Sequence, residues 1–269
     1  MVGTKNMVTN FKNMNDNLTI AILGLGEAGS HFANDLADLG VKIIGFDPNP
    51  KRVLHPTIEM KSSNLEAARE ATIIFSVNLS SVSEEVAREV FPVLDASKIY
   101  LEMNTSSPDK KIAIFEMIKS TCVKYVDLAI MAPVPPKGIK TPFLASGNGA
   151  KTFQEKVADL GLDITVLSEE VGEASTRKLL RSIVYKGVAA VICEAMEAGR
   201  KYDLESYIRE QISSVIGGND GLIDRFVEGS KTHALRRMHE MEAVVEMLEN
   251  QGIDPIVSKA ARQNLEKLL

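Results

Sequence analysis

A glycine-rich turn, a carboxylate at the end of an apolar run, and a lysine one helical turn ahead of a serine are the features of this sequence equipped for chemistry. Gly24-Leu25-Gly26-Glu27-Ala28-Gly29 has the form G-x-G-x-x-G. It follows the apolar run Leu18 to Leu23 and precedes a helical pattern, Ser30 to Leu39. Asp47 closes a second apolar run, Val41 to Phe46. Strand, glycine turn, helix, strand and terminal acid is the arrangement that binds a dinucleotide. The first glycine makes the tight turn, the second lets the backbone approach a pyrophosphate, and the third lets helix pack on strand. The helix N-terminus supplies free N–H groups and a partial positive charge. Gly24, Leu25, Gly26, Glu27, Ala28, Gly29 and Asp47 are therefore the expected cofactor contacts. Asp47 accepts hydrogen bonds from ribose hydroxyls and repels a 2′-phosphate, which favours NAD. Lys51 and Arg52 lie just downstream and leave NADP open.

The lysine belongs to a helical pattern running from Gly172 to Lys201. At ~100° per residue, Lys178, Ser182, Tyr185 and Ala189 share one face, with Arg181 at its edge. Hydride transfer to a carbonyl needs a proton donor on the oxygen, and the reverse reaction needs a base. A lysine desolvated in a cleft at the junction with the sheet domain can serve as either. The same residues also read as a basic helix start whose Lys and Arg stay in water. Farther on, His233, Arg236 and Arg237 fall within one turn, and His233 and Arg237 are i,i+4 neighbours. They can bring positive charge to an anionic substrate, or form a solvated basic face pairing with Glu240 or Glu242.

The elements that must position these groups divide the chain. From Leu18 to Ser168, β-rich runs at 18–23, 41–46, 71–77, 98–103, 124–130, 143–147 and 163–168 alternate with helical patterns at 64–70, 82–90, 108–119 and 151–160. This predicts an α/β domain, a Rossmann-type doubly wound parallel sheet over 18–168, with ligands at the carboxyl ends of its strands. Gly24, Asp47, Val77, Asn78, Asn104, Thr105, Ala132 and Pro133 are the residues at those ends. Residues 169–269 predict an all-α C-terminal domain, with helices over 172–201, 205–216, 220–227, 231–250 and 255–268. Gly217-Gly218 and Gln251-Gly252 are natural stops. Val184, Val188, Val191 and Ile192 give the long helix an apolar stripe that predicts a homodimer through the helical domain. Pro133, Pro135 and Pro136 predict a rigid, extended wall with few donors.

The 269 residues carry a net charge of −5 and no tryptophan, which argues against a nucleic-acid partner or an anionic membrane surface. No apolar run approaches the ~20 residues of a membrane span. Residues 1–17 lack the apolar core of a signal peptide and read as a disordered leader. Cys122 and Cys193 form no framework or metal pattern, sit in apolar sequence and are expected as buried thiols, consistent with a reducing cytoplasm. No H-x-x-H or C-x-x-C spacing suggests a metal, and no G-x-S-x-G or Walker sequence is present.

From Leu18 to the C-terminus the chain resembles the β-hydroxyacid dehydrogenase superfamily, which includes 3-hydroxyisobutyrate and 6-phosphogluconate dehydrogenases. Gly24 to Gly29 looks like its nucleotide signature. Glu102-Met103-Asn104-Thr105-Ser106-Ser107-Pro108 is similar to its D-x-S-T-x-S-P substrate loop, and Asp127 to Val134 to its D-A-P-V strand end. Gly172-x-Ala174-x-x-x-Lys178-x-x-x-Ser182 is similar to its G-x-G-x-x-x-K-x-x-x-N helix. The resemblance implies NAD(P)-linked oxidation of a small, polar, anionic hydroxy acid, with Lys178 as catalytic acid or base. It places Val77 and Asn78 beside the nicotinamide ribose, and Asn104 is a further expected cofactor contact. Asn104, Thr105, Pro135, Pro136, Lys137, Ser182, His233 and Arg237 then form the substrate-binding set. Departures from the family pattern point to a different substrate. Pro135, Pro136 and Lys137 replace a serine and two glycines, Ser182 replaces an asparagine, and Asn104 replaces a serine. The run Ala132 to Gly138 and the stretch Thr232 to Met241 resemble a branch whose helical half is a domain of unknown function. Reduction of an imine and non-catalytic dinucleotide binding are the alternative functions.

Overall fold

The computed structural model describes residues 18–217 and 220–269. The leader expected at 1–17, and Gly218 of the expected stop, lie outside these residues. The N-terminal unit is built on an eight-stranded sheet of order β3-β2-β1-β4-β5-β6-β7-β8. Its strands are β1 (Thr19–Leu23), β2 (Lys42–Phe46), β3 (Glu59–Met60), β4 (Ile73–Ser76), β5 (Ile99–Glu102), β6 (Lys124–Ile130), β7 (Phe143–Ser146) and β8 (Ile164–Val166). The accompanying helices are α1 (Glu27–Asp38), α2 (Asn64–Glu70), α3 (Ser83–Val90), α4 (Pro108–Ile118) and α5 (Ala150–Lys156). The strands are short runs of Ile, Val, Leu and Phe because both of their faces are covered. Alternate side chains feed two separate cores. Ile20 and Ile22 join Phe32, Leu36, Ile43 and Phe75 on one face, and Ala21 and Leu23 join Ile44, Ile74, Tyr100 and Tyr125 on the other.

Two departures from the expected sheet have local causes. The run at 143–147 is a strand, but it pairs antiparallel with β6, Asp127 opposite Ser146. The link from β6 to β7 contains only a single 3-10 turn, Gly138–Lys140, and so reverses the chain instead of crossing over. The edge strand β3 is two exposed residues, Glu59 and Met60, with no apolar run to announce it.

The compact units divide after Ser175, inside the first turn of α6 (Glu173–Lys201). The second unit continues with α7 (Glu205–Val215), α8 (Asp220–Thr232), α9 (Ala234–Asn250) and α10 (Ile256–Glu266). The helix expected over 231–250 is broken at His233, which caps α9 with φ −121° after α8 has run on to Thr232. Leu179, Met241, Val244, Ala261 and Leu265 form one core of this unit, and Ala189, Ile192, Met196, Ile223 and Phe226 form another. Ile192 thus points inward and leaves the expected stripe, while Leu180, Val184, Val188 and Val191 are exposed. Among the described residues no helix is long and apolar enough to cross a membrane. The thiols differ from expectation. Cys122 is exposed, in a left-handed conformation (φ 59°) at the turn before β6, and Cys193 is half-buried.

The seating of α1 on β1 depends on Gly29, where an added Cβ would lie 1.9 Å from the Gly24 carbonyl oxygen, whereas a Cβ on Gly26 would meet nothing within 4 Å. Gly29→Ala is expected to cost about 1–3 kcal/mol in urea unfolding, and Gly26→Ala to leave the midpoint unchanged.

Candidate functional site

The turn from β1 into α1 is held open by its glycines. Gly24 adopts φ +101°, and a Cβ there would lie 2.4 Å from the Val77 carbonyl oxygen, so the chain ends of β1 and β4 touch through backbone alone. Gly26 caps α1 without any side-chain hydrogen bond to the helix amides. The first amides of α1 therefore face the open side of the turn, where an anion can accept from them. Asp47 braces this turn from below. Its Oδ2 accepts from the Leu25 amide at 2.7 Å and its Oδ1 from the Asn49 amide at 2.8 Å. Each oxygen keeps a second lone pair for a ribose hydroxyl. Arg52 lies 3.9 Å from the Glu27 carboxylate, across the same mouth. An open glycine, free helix amides and an acid at the end of β2 fit the pyrophosphate and adenosine ribose of a dinucleotide.

The next strand ends carry a buried polar network. Asn78 Oδ1 accepts from Asn104 Nδ2 at 3.0 Å, so these two expected contacts are brought together, and Asn78 Nδ2 donates to Ser76 Oγ. Asn104 donates from its backbone to Glu102 Oε1 (3.1 Å) and from its side chain to Glu102 Oε2 (2.8 Å). Asn104 Oδ1 and Ser106 Oγ are buried without a hydrogen-bond partner. Thr105 lies half-buried between them, and Ser107 caps α4 by accepting from the Lys110 amide.

Beneath this loop sits a charge cluster that sequence reasoning missed. Lys111, from α4, donates to the Glu102 carbonyl at 2.9 Å and to its Oε1 at 3.2 Å, and lies 3.4 Å from Asp127 Oδ1. All three side chains are essentially inaccessible to solvent. Burial pushes the Glu102 carboxyl above its ordinary range, and the Lys111 charge opposes that. Asp127 Oδ2 accepts from the Ser175 amide at 2.9 Å, and Ser146 Oγ from the Ala174 amide at 3.1 Å. A carboxylate and a hydroxyl from the sheet thus satisfy the otherwise orphaned amides at the start of α6. The signal was available: Glu102 and Asp127 interrupt apolar strand runs, and a charge there needs a buried partner. Asp127 itself lies inside β6, and Met131 directly precedes Ala132-Pro133-Val134.

The proline segment is a turn and not an extended wall. Val134 O accepts from the amides of Lys137 (2.9 Å) and Gly138 (2.7 Å), leaving Pro135, Pro136 and Lys137 exposed. Gly138 is at φ +54°, and the Ile139 amide donates to Asp35 Oδ2 at 2.9 Å, which fastens the turn to α1. The prolines supply no N–H and the chain reverses, so an extended strand edge has nothing to pair with.

In the second unit, Ser182 Oγ, with one proton to give, lies within hydrogen-bond range of the Lys178 carbonyl (3.0 Å) and of Glu240 Oε1, on α9. Lys186 Nζ donates to the same oxygen at 2.8 Å. Burial alone would raise the Glu240 carboxyl. The charges of Lys186 and Lys178, and the hydrogen bonds from Lys186 and Ser182, hold it instead at about 2. Burial lowers the Lys186 ammonium, against the pull of Glu240. Arg237 is buried, donates to Ser230 Oγ at 2.9 Å and lies over the Tyr185 ring at 5.9 Å. Its neighbour in the expected pair, His233, sits outside α9 as its cap. Glu240, expected only as a surface partner of the basic face at 233–237, is instead buried against Lys186, which the sequence did not single out although Lys178, Ser182 and Lys186 recur at i, i+4 and i+8.

Removing the buried cation would strand two carboxylates. Lys111→Met is expected to cost about 3–5 kcal/mol in denaturant unfolding. Lys259→Met, which breaks the exposed Lys259–Glu249 pair, should leave the unfolding midpoint essentially unchanged.

Comparison with known proteins agrees with this geometry. Residues 19–135 match the NAD binding domain of 6-phosphogluconate dehydrogenase, and residues 200–268 match a domain of unknown function, DUF1932. An uncharacterized 28.5 kDa protein of Methanothermus fervidus is 25% identical over 250 residues, covering 91% of this chain and 96% of that one. The solved structure of the conserved protein MTH1747, described as similar to 3-hydroxyacid dehydrogenases, is 28% identical with a TM-score of 0.70, over 93% of this chain and 96% of that one. A 3-hydroxyisobutyrate dehydrogenase of Salmonella typhimurium shares the fold, with a TM-score of 0.75 at 16% identity over 93% and 94% of the two chains. The chain is thus similar over residues 19–135 to the NAD binding domain of 6-phosphogluconate dehydrogenase and over residues 200–268 to DUF1932, and its fold is that of the solved 3-hydroxyisobutyrate dehydrogenase.

Proposed function

We propose that this protein is an NAD(P)-linked oxidoreductase that interconverts a small, polar, anionic hydroxy acid and its carbonyl form, with NAD preferred. The observation that carries this reading is the braced glycine turn. Gly26 is open, the amides of α1 lack a side-chain cap, and Asp47 stands where a ribose 2′-hydroxyl would need an acceptor and a 2′-phosphate would be repelled. When bound, the nicotinamide supplies or accepts the hydride. Lys178 exchanges the proton on the substrate oxygen. The exposed turn at Pro135-Pro136 offers no amide to a carboxylate, so anion recognition falls to side-chain cations. A cytoplasmic location accords with this chemistry.

The test is spectrophotometric. Purified protein is given NADH or NADPH with a panel of small 2-oxo and 3-oxo acids, and NAD with the corresponding hydroxy acids. Turnover is expected with at least one pair, with the higher kcat/KM for NADH. Lys178→Met should lower kcat by about 10²–10⁴-fold while leaving the NADH Kd unchanged. Tight NADH binding without turnover across the panel would instead identify a nucleotide-binding protein.

The exposed row Leu180, Val184, Val188 and Val191 on α6 supports a homodimer through the helical unit, since a monomer gains nothing by leaving four such side chains in water. Sedimentation at micromolar concentration should give a dimer mass, and Val184→Glu with Val191→Glu should give a monomer. A monomeric wild-type protein would rule this out.

A further inference from the structure

Arg237 is a buried cation without an anion. It is 8% exposed and forms no ion pair with any described residue. A guanidinium cannot escape burial by giving up its proton, so the charge stays. Its side chain makes one hydrogen bond, from Nη1 to Ser230 Oγ at 2.9 Å, and a hydroxyl brings no charge. The Tyr185 ring lies 5.9 Å from its Cζ and is itself held edge-on by Phe226. Nε and Nη2, which share the other edge of the fork, have no acceptor among the described residues. Two donors along one edge match the two oxygens of a carboxylate.

The carboxylate one turn along α9 is already committed. Glu240 accepts from Lys186 at 2.8 Å, and Lys186 lies over the same Tyr185 ring, 5.4 Å from its centre. Two cations thus flank the ring against one carboxylate, and Arg236 adds repulsion. One positive charge is left over, packed between Tyr185 and α8, where an unpaired ion is costly. Gly229 of α8 keeps the unpartnered edge clear. A Cβ there would stand 2.7 Å from Nη2 and 3.4 Å from Cζ. Alanine would suit the helix better, so the glycine serves the contact and not the helix.

We propose that Arg237 anchors a carboxylate-binding site inside the helical unit, its Nε and Nη2 donating side by side to the two oxygens of a small monocarboxylate beside the Tyr185 ring. Ser230 fixes the fork at Nη1 and Gly229 leaves room at Nη2. A monoanion matches the single uncompensated charge, whereas a phosphate dianion would exceed it. The binding rests on contacts within this unit alone. Identifying the ligand as the acid group of the substrate rests on the oxidoreductase reading above, and there Arg237 is the cation that replaces the amides Pro135 and Pro136 do not offer.

Saturation-transfer NMR of the acetate methyl protons, on the full-length protein without cofactor and with ionic strength held by chloride, reads this binding directly. Acetate is expected to bind saturably to the wild type, and Arg237→Gln to weaken it by about tenfold or more. Arg225→Gln, which removes an exposed charge from α8, should leave the affinity unchanged. Equal affinity in the wild type and Arg237→Gln, or equal losses in the two arginine variants, would overturn the proposal. If Arg237→Gln does not fold, Gly229→Ala decides. It keeps the charge but crowds Nη2, so acetate should again bind about tenfold more weakly, and unchanged affinity would overturn the proposal as well. Displacement of acetate by inorganic phosphate below the acetate Kd would overturn the assignment to a carboxylate. With an acid that turns over, Arg237→Gln should raise KM by about 100-fold and leave the NADH Kd unchanged. Absence of turnover with any oxo acid would count against the oxidoreductase reading and leave the acetate result intact.

Discussion

A lysine ammonium buried between two carboxylates organises the chemical end of the N-terminal unit. Lys111 on α4 reaches under the ends of β5 and β6, and Glu102 and Asp127 close on it from either strand. Such a cluster is seldom a net source of stability, because three charges must leave water to form it. Its effect lies in the arrangement it enforces. Each carboxylate has an oxygen left for another duty. Glu102 holds Asn104 and so aligns Asn78, and Asp127 holds the Ser175 amide in the first turn of α6. One cation thereby sets the position of a strand-end loop and of a helix start that are far apart in sequence. Shifting either would leave a buried charge or amide unpaired.

The same economy of polar contacts appears around the glycine turn. The turn needs close backbone approach at Gly24 and Gly29, where any side chain would collide with carbonyl oxygens, and it needs nothing at Gly26 except emptiness. The proline-rich reversal between β6 and β7 is fixed in a different manner, by Asp35 of α1 accepting from the Ile139 amide. The segments around the strand ends are therefore tied by charge-assisted hydrogen bonds between side chain and backbone, which are short and directional.

What could be read in the sequence followed from repetition. Apolar runs alternating with amphipathic stretches gave the sheet and its helices, because burial on both faces of a parallel strand leaves little freedom in composition. The glycine signature carried its own geometry. Features decided by single tertiary contacts were hidden. The antiparallel β7 looks like any buried strand until the short link from β6 is seen to lack a crossover helix. The break at His233 lies inside an unbroken helical pattern. Lys111, Lys186 and Glu240 resemble ordinary surface charges on amphipathic helices, and only the folded chain shows each of them buried against a specific partner. Ile192 and the valines of α6 share one apolar pattern, and their division into inward and outward faces follows from what α8 covers.

The double engagement of Asp47 has a consequence for anyone seeking to retarget the coenzyme by directed evolution. On the proposed cofactor reading, exchanging that acid for a small neutral residue would remove the repulsion toward a phosphorylated ribose. It would also release the Leu25 amide, which the carboxylate restrains at 2.7 Å, and so loosen the glycine turn on which the proposed binding of either coenzyme depends. Selection for the new specificity would therefore have to recruit a second substitution that restores the lost brace, and single-site libraries at this position should yield relaxed discrimination in preference to inverted discrimination.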